Sequence, residues 1–305
     1  MAGILSGRHP VNIETVIDES IIAIFSERKL SNRMFLKGGS AIRLFDHDHT
    51  RLSIDADFSI AGTIRAENSF FNRIEQALAR HFGQMDYSVL DFKFTPRPKV
   101  QKQAFPKWWR GWLCQFKLVS SEYSTLSVQT QRRHALIPEG SNSPVIDIEI
   151  SEHEYCGAAR EITLKGVELQ GYSKELIVIE KLRALCQQHP DYPFNSSKNR
   201  ARDFYDIFRL CRDIDDDFVR RCQEHFAPVF AAKEVSVGLL KALWDSEFLS
   251  VQERGFAQVV DSTHGELLPF ETYVEHARYV VLQILPELQA ETTGSRHPTT
   301  PQRHE

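Results

Sequence analysis

Cysteine is sparse and unpatterned in this chain. Five cysteines among 305 residues, at 114, 156, 186, 211 and 222, show no CxxC spacing. Neither a zinc knuckle nor a disulfide framework is expected from that pattern. Cys186 and Cys211 fall in apolar-periodic helical segments, as buried thiols of a reducing compartment do. Long hydrophobic runs are missing too: no stretch approaches the roughly 18 apolar residues of a membrane helix. The start, MAGILSGRHP, has no apolar stretch after a basic segment, so a secretory signal is not expected. There is no excess of positive charge. Thirty-seven Lys and Arg stand against 41 Asp and Glu, a net charge of −4, which excludes a globally basic nucleic-acid coat but leaves room for a local patch. No internal repeat is visible. With 42% hydrophobic and 26% charged residues, the composition is that of a folded soluble protein.

The apolar periodicity divides the chain. Residues 11–30 and 67–82 read as amphipathic helices. MFLKGGSAIRLF (34–45) reads as a short strand, a glycine turn and a helix start. RLSIDADFSI (51–60) alternates: Ile54, Ala56 and Phe58 face one way, Asp55, Asp57 and Ser59 the other. Further strands are expected at 87–94, 112–119 and 145–150, while 125–136 suits either a helix or a strand. From Ser173 to about Leu288 the segments 174–185, 199–212, 215–230, 235–249 and 270–288 all have helical spacing. Ser173 and Asp215 suit N-cap positions. The expected organisation is therefore α+β: a mixed sheet with flanking helices over 1–170, a helical domain over 171–290, and a polar Pro/Thr-rich tail over 291–305 expected to be disordered.

One block carries chemistry. Lys37-Gly38-Gly39-Ser40 is followed, after fourteen residues, by Asp55-Ala56-Asp57. Glycines at a strand-to-helix turn allow close backbone approach, and the helix N-terminus beyond them offers unpaired N–H groups and a positive dipole end to a phosphate. The Ser40 hydroxyl would add a donor. Two carboxylates two apart on a strand share a face and repel one another unless a cation lies between them. Hard oxygen ligands of that kind suit Mg²⁺, which also bridges substrate phosphates. A phosphate seat beside an acidic metal pair is the minimum apparatus for phosphoryl or nucleotidyl transfer.

The run GGS-x14-DAD resembles the signature of the polymerase-β-like nucleotidyltransferase superfamily. Its fuller form, with Arg51 and Ser53 preceding the acidic pair, resembles the AbiEii/AbiGii toxin family. ELIVIEKLRAL (175–185) is similar to that family's Glu-Lys helix motif, and RARDFYDIF (200–208) to its Arg-x-x-Asp-x-x-Asp motif. All four blocks stand in the family's order. The resemblance implies a polymerase-β-like nucleotidyltransferase domain followed by a helical domain. It implies a cytoplasmic toxin of a toxin–antitoxin or phage-defence system, using NTP and Mg²⁺ to modify an RNA acceptor, the tRNA 3′ end, and restrained by a cognate antitoxin, with no membrane role. Carried over by position, Gly38, Gly39 and Ser40 would hold the triphosphate, Asp55 and Asp57 the metal, and Lys181 the phosphates of the incoming nucleotide. Asp203 would stand beside Lys181 as a catalytic residue, with Asp206 as the alternative. The superfamily's third metal-side carboxylate has two candidates in VIDIEIS, Asp147 and Glu149. A nucleotide transferred to a protein or small molecule, or a non-catalytic nucleotide-binding module, are the rival expectations.

Other features have two readings each. PRPKVQKQAFPKWWRGWLCQFK (96–117) carries six basic residues and no acid, interleaved with aromatics. Lys107, Trp108, Trp109, Arg110 and Trp112 there are candidates for RNA contact, cations for phosphates and rings for unpaired bases, or else core and partner contacts. His47 and His49 suit an exposed loop as well as a substrate contact. DIDDDF (213–218) has the acid density of a metal site, but helix capping explains it. Lys174 and Lys181, seven apart, are expected on one helix face, one that would line a nucleotide cleft between the two domains.

Overall fold

The computed structural model describes residues 11–45, 55–99, 105–106, 108–195, 198–261, 263 and 267–288. Lys107, Arg51, Ser53, His47, His49 and the segment 291–305 lie outside the described residues.

In chain order the elements are α1 (Ile13–Phe25), α2 (Arg28–Ser31), β1 (Met34–Lys37), α3 (Gly38–Phe45), β2 (Ala56–Ile60), α4 (Glu67–Gly83), β3 (Tyr87–Arg97), β4 (Gly111–Ser120), α5 (Val128–Arg133), β5 (Ile146–Ser151), β6 (Ala159–Leu164) and β7 (Val167–Tyr172). They continue with α6 (Lys174–Cys186), α7 (Ala201–Leu210), α8 (Asp216–Ala231), α9 (Ser246–Arg254), α10 (Phe256–Asp261) and α11 (Phe270–Ile284). The architecture is α+β, as the periodicity implies: a seven-stranded mixed sheet in the order β3-β4-β5-β2-β1-β7-β6, with helices around it. β2, which carries Asp57 and begins directly after Asp55, is interior. It runs antiparallel to β1 and parallel to β5, so both its edges are hydrogen-bonded.

α1 and α4 close one face of the sheet. Val16, Ile17, Ile21 and Ile24 of α1 are fully buried, each such side chain contributing about 1.5–3 kcal/mol relative to exposure. Asn12 caps α1 by accepting from the N–H of Glu14, and Ser173 caps α6 by accepting from that of Leu176. Asp215 accepts from Phe218 N at 2.7 Å, so the acidic run at 213–218 starts α8. The alternation of β2 is only half amphipathic. Ser59, on the acidic side, is fully buried and accepts the Tyr172 hydroxyl at 2.7 Å.

The structure departs from the expected elements in two places. β6 and β7 form a hairpin not expected from the sequence. Its turn is Lys165-Gly166, both at positive φ (+48° and +81°), as a two-residue hairpin turn requires. The stretch 235–249 is not one helix. A 3₁₀ segment, Val237–Trp244, gives way to α9 at Asp245, whose carboxylate accepts from the N–H groups of Glu247 and Phe248. The stretch 125–136 holds the short α5. The sheet ends at Tyr172 and α6 begins one residue past the Ser173 cap, yet a continuous hydrophobic core runs from Val11 to Ile284 through both halves. All five cysteines are free thiols. Among the described residues no helix is long and apolar enough to cross a membrane.

Candidate active site

Where β1 ends, the chain turns sharply into α3. Gly38 sits at φ +63°, the left-handed region that a side chain strains to adopt. A Cβ added there would lie on the carboxylate of Asp57, 2.7 Å from its Cγ. The carboxylate of Asp57 is therefore lodged against backbone at the start of α3, and only glycine leaves it room.

Strand register assembles the rest. Asp57 faces Lys37 across the β1–β2 ladder and Glu149 across the β2–β5 ladder. Burial pushes the pKa of Asp57 up to about 7, and Asp55 adds to it; Lys37 pulls the other way, and Glu149 and Glu180 reinforce the rise. Lys37 ion-pairs with Glu180 at 2.8 Å and with Glu154 at 3.6 Å. Burial alone would lower its pKa, but Glu180 and Glu154 outweigh that and raise it. Of the two candidates for a third carboxylate, Glu149 lines the cleft with Asp57, whereas Asp147 lies further along β5 and accepts a hydrogen bond from Gln115 Nε2 at 2.9 Å.

The cleft has a volume of 440 Å³ and lies between the sheet and the start of the helical half. Eight basic and five acidic side chains line it, so its field favours an anionic ligand. Lys181 reaches it from α6 and is gripped by Asp203 at 2.7 Å and Asp206 at 2.6 Å from α7. Asp203 lines the cleft; Asp206, 1% exposed, lies behind Lys181 and does not. In this arrangement Asp206 holds Lys181.

Four further residues make contacts that the sequence did not indicate. Ser40 is 1% exposed, and its hydroxyl donates to the backbone carbonyl of Asp55 at 3.0 Å. It fastens α3 to the segment that leads into β2. Trp112 is 5% exposed, stacked among Phe71 and Phe94 with its Nε1–H donated to Glu152 at 2.6 Å; a core ring cannot stack on a base. Arg110 borders the cleft, but its guanidinium is engaged by Glu67 and Glu152. Lys174 does not line the cleft; its ammonium lies 5.6 Å from the ring centre of Phe218. Trp108 and Trp109, by contrast, do border the cleft.

Sequence reasoning passed over Lys37, Glu154, Glu180, Arg183 and Lys233, which form a connected buried ion-pair network along the cleft. Lys37, a cation at the strand end directly before the glycines, and Glu180, the acid of the Glu-Lys helix motif, were the two with a signal. The others come together only through the fold.

The oxygen-only donors Asp55, Asp57 and Glu149 have the chemistry for a hard divalent cation, which would restore full charge to a carboxylate poised near pH 7. Among the described residues no group of three His, Cys, Asp or Glu side chains is placed to hold a metal ion by itself. Mg²⁺ needs none, since it binds through one or two carboxylates together with substrate phosphates and water.

Three comparisons with known proteins bear on this site. Residues 20–276 match the family described as nucleotidyl transferase AbiEii toxin, type IV TA system. No curated protein sequence matches the chain. Among solved structures, JHP933 from Helicobacter pylori is similar at 13% identity with a TM-score of 0.40, covering 92% of this chain and 94% of its own. An antigenic nucleotidyltransferase-like protein from Paracoccidioides brasiliensis is similar at 16% identity with a TM-score of 0.37, covering 77% and 95%. With the family match spanning most of its length, the chain belongs to the AbiEii family of nucleotidyltransferase toxins from type IV toxin–antitoxin systems.

Proposed function

We propose that this nucleotidyltransferase moves a nucleoside monophosphate from an NTP to an RNA acceptor, the 3′ end of tRNA, with Mg²⁺ as cofactor. A cognate antitoxin restrains it in the bacterial cytoplasm, in a toxin–antitoxin or phage-defence setting. The observation that carries this is the lodging of Asp57 against Gly38, at the start of a helix and inside a cation-rich cleft. Phosphate-binding backbone and metal-binding carboxylate are thereby in contact with one another.

Each residue then has a task. The first N–H groups of α3, at Gly38 and Gly39, receive the triphosphate. Asp55 and Asp57 would hold Mg²⁺, with Glu149 as the third carboxylate in place of Asp147. Such an ion supplies charge neutralisation on the phosphates and a lowered pKa for the attacking hydroxyl. Lys181, oriented by Asp203 and Asp206, meets the negative charge that builds on the departing pyrophosphate. An acceptor hydroxyl oxygen bonds to the α-phosphorus as the bond to the β-phosphate breaks, and its proton passes through a cleft carboxylate to water.

The test is incubation of the purified protein with each labelled NTP, total tRNA and a whole-protein extract, with Mg²⁺ or with EDTA. Label should enter tRNA, need Mg²⁺, and vanish with Asp57→Asn. Label in protein alone would overturn the RNA acceptor, and label in no fraction would overturn transfer altogether.

A further inference from the structure

We propose that the aromatic side of the cleft is a stacking subsite for an unpaired base at the end of the acceptor, built by Trp109 and Phe194 and positioned by Lys233. This rests on the RNA-acceptor assignment and adds to it which side chains receive the base and what holds them.

The rings come from both halves of the chain. Trp108 and Trp109 lie nearly parallel, 9° apart in plane with centroids separated by 6.3 Å. Phe194, from the loop between α6 and α7, stands edge-on to both, at 5.9 and 6.3 Å. All three line the cleft that holds Asp57, and all three are only partly buried. Partly exposed aromatic faces beside a transfer centre suit an unpaired base, because every base offers a π-face. Arg97 and Lys198 border the same cleft, and neither forms an ion pair among the described residues. Both are therefore available to backbone phosphates. Rings flanked by cations match the two groups that a nucleotide presents, a base face and a phosphate.

Lys233 fixes the geometry. It is 6% exposed, in the turn that follows α8. Its ammonium donates to the carbonyls of Glu152 at 2.8 Å and Trp108 at 3.3 Å, pairs with Glu154 at 3.3 Å, and lies 5.6 Å from the ring centre of Trp108. Its own carbonyl accepts the Tyr192 hydroxyl at 3.0 Å, and Tyr192 is edge-on to Phe194 at 5.9 Å. One residue thus ties down the tryptophan side through its side chain and the phenylalanine side through its backbone. Lys233 is a positioning residue: its contacts are with the supports of the rings.

The experiment measures transfer to an RNA with a single-stranded 3′ end, together with affinity for a fluorescent NTP. Trp109→Ala should raise the acceptor KM about tenfold, the loss of one stack, with kcat within about twofold and NTP affinity unchanged. Lys233→Met should raise the acceptor KM to a similar extent, and the double variant should have an acceptor KM little worse than that of Trp109→Ala alone, because both remove one subsite. Lys233→Arg should recover part of the acceptor affinity. Should Lys233→Met not fold, Tyr192→Phe replaces it, with an expected rise of about threefold to fivefold for one hydrogen bond. An acceptor KM unchanged in Trp109→Ala overturns the subsite while the transfer assignment stands. Fully additive effects of Lys233→Met and Trp109→Ala overturn the positioning role. If the wild type labels protein and not RNA, the acceptor assignment falls and this inference with it.

Discussion

Replacing Gly38 by alanine separates the two things this glycine does. The backbone there is at φ +63°, which costs an L-residue about 1–2 kcal/mol. The new Cβ would also lie 2.7 Å from Cγ of Asp57 and closer still to its oxygen. Ordinary contact needs about 3.4 Å or more between such atoms, so the carboxylate has to retreat by the best part of an ångström. A displacement of about 1 Å at reacting groups costs on the order of 100-fold in rate. Gly38→Ala should therefore lose about 1–2 kcal/mol of stability and about 100-fold in kcat/KM. Gly166→Ala is the control. Its φ is +81° and nothing lies within 4 Å of an added Cβ, so it carries similar backbone strain with no clash and should keep full activity. Denaturant unfolding gives the first quantity; nucleotide incorporation, or growth arrest on expression, gives the second. A folded Gly38→Ala protein within about twofold of wild-type activity would refute the claim that Asp57 depends on that gap, as would an equal loss of activity in Gly166→Ala.

The other predictions concern neighbouring groups. Glu149→Gln should cut transfer by about 100-fold or more, whereas Asp147→Asn, which keeps a partner for Gln115, should stay within a few-fold, as kcat measurements on the two variants will show. Asp206→Ala should destabilise the protein by about 3 kcal/mol in chemical denaturation, since it strips a buried carboxylate from Lys181, and should lower kcat as that ammonium loses its alignment. Trp112→Phe should cost about 1–3 kcal/mol by leaving Glu152 without its donor, yet leave RNA affinity unchanged in a binding titration. Burial would raise the pKa of Glu154, but Lys37, Lys233 and Arg183 outweigh it and hold the carboxyl at about 2, against 4.5 unperturbed. Its stabilisation is then complete above about pH 4.5 and is lost as pH falls towards 2, up to about 3 kcal/mol; acid unfolding of Glu154→Gln should be shallower by that amount over that window.

Most of the frame was legible because it depends on local pattern. The period-two acids at the start of β2, Asp55 just before it and Asp57 in it, the glycine turn before α3 and the caps at Ser173 and Asp215 are each set within a few residues. The β6–β7 hairpin was legible in principle, since Lys165-Gly166 sits between alternating runs. What the sequence hid depends on which chain segments meet. Asp147 and Glu149 share a face of one strand, and only the pairing of β5 with β2 puts Glu149 beside Asp57. Trp108 and Trp112 look alike in the sequence, but Trp112 is four residues on, inside β4, where its ring enters the core with Phe71. Ser40 has the expected position, yet its hydroxyl is turned to the carbonyl of Asp55, a choice that depends on how α3 sits on β2.

The buried network explains why the cleft lies where the halves of the chain meet. Lys37 belongs to β1, Glu154 follows β5, Glu180 and Arg183 come from α6, and Lys233 follows α8. Three cations and two carboxylates leave one positive charge in excess. A burial of that kind is costly for folding alone, and hydrophobic side chains of the same size would join the halves more firmly. The excess becomes favourable when a polyanion enters, because a low-dielectric wall strengthens attraction for phosphate. The same salt bridges that hold the helical half against the sheet therefore tune the cleft for its ligand. Binding a triphosphate should in turn tighten the two halves against each other, so NTP should raise the unfolding midpoint of wild-type protein more than that of Lys37→Met, where the excess charge is gone.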